Sequence, residues 1–368
     1  MLVYFLLIFG FYFTMLIFLL VGWNRIRQST PLEQKSLFVS VVIPVRNEDK
    51  NLRTLLDTLE KQNYGRSNFE IIFVDDHSTD QSVSILKERL QYSGQRVTII
   101  QSSGTGKKRA LATGVEMARG EIVLCTDADC VLPPDWILRM VGSFNSDTQM
   151  VVGLVKIKPN NFFDRLQALE FVSVMGTGIA ALRWRFPLMC NGASLAFRKN
   201  AYEAVQGYEG NFQYASGDDE FLMRKIQARY PGAVHLVQDI NSVVVTAPAG
   251  SLKGFIHQRL RWAGKWRVND SGFARLIAIF IFQVQVSWLL LVGLALFNNS
   301  TLIVVLIFSK ILLEGFFLGK VSKELKQPFD FMAFACLQIV YPFYVIFIGM
   351  FSQFLSFQWK GRSLSAAG

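Results

Sequence analysis

Residues 1–22, MLVYFLLIFGFYFTMLIFLLVG, form one uncharged apolar run. About 20 such residues cross a bilayer as a helix. The run lacks the basic start and small-residue cleavage site of a secretory signal, so a retained anchor is expected. Between 38 and 129 the pattern changes to β-rich runs alternating with amphipathic segments. FVSVVIPV (38–45), FEIIFVDD (69–76), RVTIIQ (96–101) and EIVLCTDAD (121–129) read as strands. The stretch 47–62 carries Leu52, Leu55, Leu56 and Leu59, the i, i+3, i+4, i+7 pattern of an amphipathic helix. Ser78 or Thr79 can cap a second helix with Val83, Leu86 and Leu90, and glycines open and close a third over 106–120. This alternation predicts a parallel sheet covered by helices, with ligands beyond the carboxyl ends of its strands. After residue 150 the alternation weakens. The stretch 164–184 reads as a long helix, and 191–209 as a short strand and then a helix. A second apolar block predicts spans at 274–298, 301–318 and 329–356. Lys310 and Glu314 lie four apart in the second and can pair. Pro342 interrupts the third, which reads as a kinked span or a re-entrant, interfacial hairpin. The predicted division is an anchor at 1–22, an α/β domain at 23–272 and membrane or interfacial helices at 273–358.

Composition sharpens this picture. Hydrophobic residues make up 51% of the 368, more than a purely soluble chain needs, and net charge is +10. Arg25, Arg27 and Lys35 follow the first run; Lys253, Arg259, Arg261, Lys265 and Arg267 precede the second block. Basic residues flanking spans stay in the cytoplasm, so the domain is expected there and the FNNS turn (297–300) on the far side. Lys360 and Arg362 also prefer the cytoplasm, which an odd number of full C-terminal spans would forbid. That conflict favours an interfacial or re-entrant form for one of the last two segments. Nucleic acid is not an expected partner, because the basic residues gather at membrane borders and no binding motif accompanies them. Four cysteines without C-x-x-C pairing argue against a zinc site or a disulfide framework.

The strand ends collect the chemistry. The first supplies Pro44, Asn47 and Glu48, and the second Asp75 and Asp76, which can accept hydrogen bonds from a nucleobase or ribose. Asp127 and Asp129 stand two apart at the fourth, so both project to one side; such a pair suits magnesium with substrate phosphates, or equally a helix cap. GTGKKRA lacks the spacing of a P-loop, yet Lys107 or Lys108 at a helix start suits an anion. The run Asp218, Asp219, Glu220 is either a solvated helix start or the seat of a base. In QRLRW, Gln258, Arg261 and Trp262 share one helix face, and Arg261 can fork two phosphate oxygens. The same segment also fits a headgroup anchor.

In this order, VVIPVRNE, VDDHSTD, GKKRALATG, TDAD, NGASLAFRK, SGDDEF and QRLRW resemble the membrane-bound family 2 glycosyltransferases of the GT-A fold, among them cellulose, chitin and hyaluronan synthases and ceramide glucosyltransferase. The resemblance covers about 38–266. It implies a Rossmann-like mixed-sheet domain with one N-terminal and two to three C-terminal membrane helices. It implies that Asp75 or Asp76 contacts the nucleotide, usually uridine. Asp127 and Asp129 would hold magnesium or manganese on the donor diphosphate, and Asp219 would be the base. Gln258, Arg261 and Trp262 would lie near the leaving diphosphate and the acceptor. Asp218 stands where glutamate is commoner. The expected activity is inverting transfer of a sugar from a nucleotide sugar, usually a UDP-sugar, to a lipid hydroxyl at the cytoplasmic membrane face. A processive polysaccharide synthase, a polyprenyl-phosphate glycosyltransferase and a catalytically decayed scaffold are the alternatives. Relatives of the polyprenyl-phosphate type generally lack the Q-x-x-R-W motif.

Overall fold

The computed structural model describes residues 2–24, 37–90, 94, 96–214, 216–237, 239–264, 272–298, 300–352, 354–355 and 357–364. Arg25, Arg27, Lys35, Lys265 and Arg267, invoked above for orientation, lie outside them. The chain forms two compact units. One comprises Ile26–Lys158 and Ala181–Ala247; the other comprises Met1–Arg25, Pro159–Ala180 and Pro248–Gly368.

The first unit is an α/β domain. Strands β1 (Val39–Val45), β2 (Phe69–Asp75), β3 (Arg96–Gln101) and β4 (Ile122–Cys125) are parallel and lie in the order β3-β2-β1-β4. β1 and β2 are apolar along nearly their whole length because helices cover both faces. Helix α2 (Leu52–Glu60) buries Leu52, Leu55, Leu56 and Leu59, the stripe its spacing predicts. It starts at Leu52, five residues into the predicted stretch, because the N–H groups of Asn47, Glu48 and Asp49 donate instead to the side chains of Ser78, Ser82 and Asp80. Helix α3 (Ser82–Leu90) also starts late. The proposed caps Ser78 and Thr79 are used elsewhere: the Ser78 N–H donates to Asp75 and the Thr79 N–H to Asn47. Helix α4 (Lys107–Met117) packs so closely on the sheet that a Cβ at Gly114 would lie 2.4 Å from Val42.

Beyond β4 come helix α5 (Trp136–Gly142), strands β5 (Met150–Val152) and β6 (Val155–Ile157), and the long helix α6 (Phe162–Arg183), which runs from the second unit into the first. Strand β7 (Leu195–Arg198), helices α7 (Lys199–Ala204) and α8 (Asp218–Arg229), and strands β8 (Val234–Leu236) and β9 (Val244–Thr246) complete the domain. β7 runs antiparallel between β4 and β5, and β8 pairs parallel with β5. The sheet is therefore mixed and seven-stranded, in the order β3-β2-β1-β4-β7-β5-β8. β6 and β9 form a separate pair.

The second unit holds α1 (Leu2–Asn24), most of α6, α9 (Leu252–Gly264), α10 (Gly272–Ala295), α11 (Thr301–Glu324), α12 (Phe331–Phe351) and a hairpin of β10 (Phe357–Trp359) and β11 (Arg362–Leu364). α6 and α9 thus group with the apolar helices, where sequence alone put both inside the catalytic domain. Among the described residues four helices, α1, α10, α11 and α12, are long and apolar enough to cross a membrane. Lys310 and Glu314 do pair on α11, 2.9 Å apart, and Gln338 of α12 and the Tyr12 hydroxyl of α1 complete the network. Each charge is thereby satisfied away from water.

Candidate active site

In the α/β domain the residues named from strand ends lie within or just after β1, β2 and β4. Pro44 lies within β1, opposite Val74. Asn47 adopts a positive φ of 51° and its side chain accepts the Thr79 N–H at 2.8 Å. Glu48 is buried; its carboxylate accepts the Asn51 amide at 2.6 Å. Both residues thus shape the turn that follows β1. Asp75 and Asp76 are both buried. Asp76 Oδ1 accepts the Gly106 N–H at 3.0 Å, tying the end of β2 to the start of α4. Arg46, which the sequence reading passed over, donates to the carbonyls of Asp76 and His77 at 2.7 and 2.8 Å and braces the same turn.

The two lysines of GKK have different work. Lys108 is buried and donates to the carbonyls of Asn211 and Tyr214 at 2.8 and 3.0 Å, over the Phe221 ring. Its ammonium is committed to the protein, which removes it as a phosphate ligand. Lys107 Nζ lies 2.6 Å from Asp127 Oδ1 and 3.2 Å from Asp218 Oδ2. Burial disfavours its charge, but the carboxylates of Asp127, Asp218 and Asp219 outweigh that and raise its pKa well above the ordinary lysine value.

The acidic run is divided by its environment. Gly217, with φ 81°, turns the chain into α8. Asp218 is buried and faces Lys107. Asp219 is half-exposed; its carboxylate accepts the N–H groups of Gly192 and Glu220 at 2.9 and 2.7 Å. Glu220, which a solvated helix start would expose, is buried and paired with Arg224 one turn on. Gly192, like Arg46, was not singled out from the sequence. A Cβ there would come within 3.0 Å of Asp218 Oδ2 and 3.3 Å of Lys107 Nζ. Its signal was the Asn-Gly dipeptide, a marker of tight backbone. The turn it makes is fixed from the β4 side by Thr126 Oγ1, which donates to Ala193 O at 2.8 Å.

Asp127 and Asp129 offer hard oxygen donors, and Asp127 already draws a cation in Lys107. Among the described residues no group of three or more histidine, cysteine, aspartate or glutamate side chains could hold a metal. A two-carboxylate set fits an ion that completes its shell with phosphate oxygens and water, as magnesium and manganese do.

In the second unit, Gln258, Arg261 and Trp262 lie on α9. Trp262 meets Phe171 of α6, ring centroids 6.4 Å apart. Arg259, read from the sequence only as a basic residue flanking the membrane block, is buried against Glu170 of α6.

Comparison with known proteins bears on the α/β domain as a whole. Residues 40–205 match the family described as glycosyl transferase family 2. An undecaprenyl-phosphate 4-deoxy-4-formamido-L-arabinose transferase of Edwardsiella ictaluri (strain 93-146) is 35% identical over 136 residues, 35% of this chain and 40% of the relative. The uncharacterized glycosyltransferase YkcC of Bacillus subtilis (strain 168) is 32% identical over 139 residues, 37% of this chain and 43% of that protein. The chain thus spans less than half the length of these curated relatives. The mannosyltransferase PcManGT from Pyrobaculum calidifontis, solved with GDP-Man and Mn2+, superposes with a TM-score of 0.57 at 18% identity, over 96% of this chain and 99% of that one. Residues 40–205 thus resemble the family 2 glycosyltransferases, the chain shares the fold of that mannosyltransferase, and its described residues include four candidate membrane helices.

Proposed function

We propose that the protein is an inverting glycosyltransferase that moves a sugar from a UDP-sugar to a lipid hydroxyl at the cytoplasmic membrane face. The observation that carries this reading is the cluster of Lys107, Asp127, Asp218, Asp219 and Gly192 in a family 2 domain. Asp75 and Asp76 hold the nucleotide at the end of β2. Asp127 and Asp129 would hold magnesium or manganese, which supplies neutralisation of the leaving diphosphate. Lys107 adds positive charge beside it, and Arg261 does the same from its own motif. The acceptor oxygen attacks the anomeric carbon as the bond to the diphosphate breaks. Asp219 takes the hydroxyl proton, and the nucleoside diphosphate leaves. One displacement inverts the anomeric centre.

A second reading is favoured by the names of the relatives: the acceptor is a polyprenyl phosphate, whose oxygen is already ionised and needs no base. One experiment separates the readings. Purified protein is given a panel of sugar nucleotides with Mn2+ or Mg2+, and either undecaprenyl phosphate or hydroxyl-bearing extracted lipids, with products read by mass. A single glycosylated hydroxyl lipid is the expected result. A sugar phosphodiester supports the second reading, long polymer a processive synthase, and no turnover with any donor a scaffold.

Contacts along α12 bear on membrane orientation. Gln338 bonds Glu314 on α11, and the Trp288 indole N–H of α10 donates to its carbonyl at 3.1 Å. Eleven residues on, Gly349 lies against Phe282, nearer the start of α10. Eleven helical residues cover about 16 Å, yet the second half of α12 advances back along α10 towards α9. Between these points Tyr344 touches Glu170, the partner of Arg259. The C-terminal hairpin lies against α9. α12 is therefore read as an inclined, re-entrant helix that returns Lys360 and Arg362 to the cytoplasmic side. In sealed vesicles of a cysteine-free variant, Lys360→Cys should react with an impermeant maleimide from the same side as Ser67→Cys in the α/β domain. Reaction from opposite sides would make α12 a full span.

A further inference from the structure

We propose that Glu170 and Arg259 are positioning residues for the Gln258–Arg261–Trp262 motif, an inference that rests on the transferase reading above. The sequence QRLRW offers two arginines, two residues apart. On a helix that spacing separates side chains by about 200°, so only one can turn towards α6. The structure gives that place to Arg259. Its Nε donates to Glu170 Oε1 at 3.1 Å, and its Nη2 to Glu170 Oε2. The Tyr344 hydroxyl donates to Glu170 Oε1 at 3.4 Å. Both charged side chains are almost fully buried, at 3% and 6% exposure.

A buried ion pair contributes little net stability, because desolvating two charges offsets their attraction. What this pair does provide is geometry. The remaining guanidinium edge, Nη1, donates to Gln258 Oε1 at 2.5 Å. The guanidinium face lies over the Trp262 ring at 4.2 Å from its centroid, with the Phe255 ring at 4.5 Å. Arg259 thus holds two of the three motif side chains directly. Its burial also fixes the rotation of α9, which leaves Arg261 on the opposite side of the helix. The fork of Glu170 sets the plane of the guanidinium, and that plane sets both contacts. Lysine would keep the charge and lose the plane.

The test uses the full chain in detergent, with UDP affinity by calorimetry giving the binding-competent fraction. Glu170→Gln should lower kcat per competent molecule about 10- to 100-fold, the cost of a misplacement on the order of an ångström. UDP affinity should change less than about threefold, and Arg259→Lys should behave like Glu170→Gln. In an Arg261→Lys background the same Glu170→Gln change should cost less than about threefold, because residues acting through one motif are not additive. Unchanged kcat per competent molecule, or a full additive loss in that background, would overturn the proposal. Should Glu170→Gln fail to fold, Arg259→Lys and Tyr344→Phe carry the same comparison. A wild-type chain that binds UDP but transfers no sugar would instead overturn the transferase reading itself.

Discussion

Asp219→Asn should lower sugar transfer to a hydroxyl acceptor by about 10²- to 10⁴-fold, the usual contribution of a positioned base. Donor affinity should stay within about twofold, because the nucleotide and diphosphate contacts are assigned to other residues. The substitution is nearly isosteric. Its one carbonyl oxygen can keep the Gly192 N–H or the Glu220 N–H, each of which Asp219 now holds through its own oxygen. A thermal melt separates the loss of one such bond from the loss of the base. The measurement is initial rate at saturating donor, with donor affinity by calorimetry on the same preparation. Full activity with unchanged donor binding would remove Asp219 from the role. Full activity confined to a lipid phosphate would leave the residue without a proton to take and favour the second acceptor reading.

Lys107→Met should affect stability, metal binding and rate together. Asp127 and Asp218 would lose the cation they share. Breaking a buried pair leaves a charge uncompensated; because Asp127 is about a third exposed, a cost of about 1–3 kcal/mol is expected by thermal or denaturant unfolding. With the ammonium gone from Asp127, the donor-free protein should bind Mn2+ at least about tenfold more tightly, read by the loss of the free-ion resonance signal. Transfer should nevertheless fall about 10²- to 10³-fold, since the leaving diphosphate loses a fixed positive charge. Unchanged Mn2+ affinity and near wild-type transfer would together remove Lys107 from the site. Its pKa is raised, so the pair contributes fully below the ordinary lysine value and is lost only as pH rises through the higher, folded value. Stability from this pair should therefore be flat through neutral pH.

Asp75, Asp76 and Asp127 were singled out because each lies where a β-rich apolar run gives way to polar residues. β1, β2 and β3 appear within a residue or so of where those runs lie. The short strands β5, β6, β8 and β9 were not legible, since three residues carry too little pattern to distinguish a strand from a loop. The starts of α2 and α3 were misplaced because side-chain acceptors take the N–H groups before each helix: Ser78, Ser82 and Asp80 those of Asn47, Glu48 and Asp49, and Asp75 and Asn47 those of Ser78 and Thr79.

Local periodicity and charge alone determined that the four parallel strands β1 to β4, with their helices, lie along the chain between apolar segments, that acids stand at strand ends, and that Lys310 and Glu314 can pair; the antiparallel direction of β7, which makes the sheet mixed, was not legible in that pattern. Each of those statements depends on residues within a few positions of one another. Choices between neighbours were decided only by tertiary structure. Lys107 was separated from Lys108 by Asp127 and Asp218 on one side and the carbonyls of Asn211 and Tyr214 on the other. Arg259 was separated from Arg261 by Glu170, 89 positions away. Chemically alike side chains acquire different roles from the partners that fold against them, and those partners lie too far along the chain for spacing to encode.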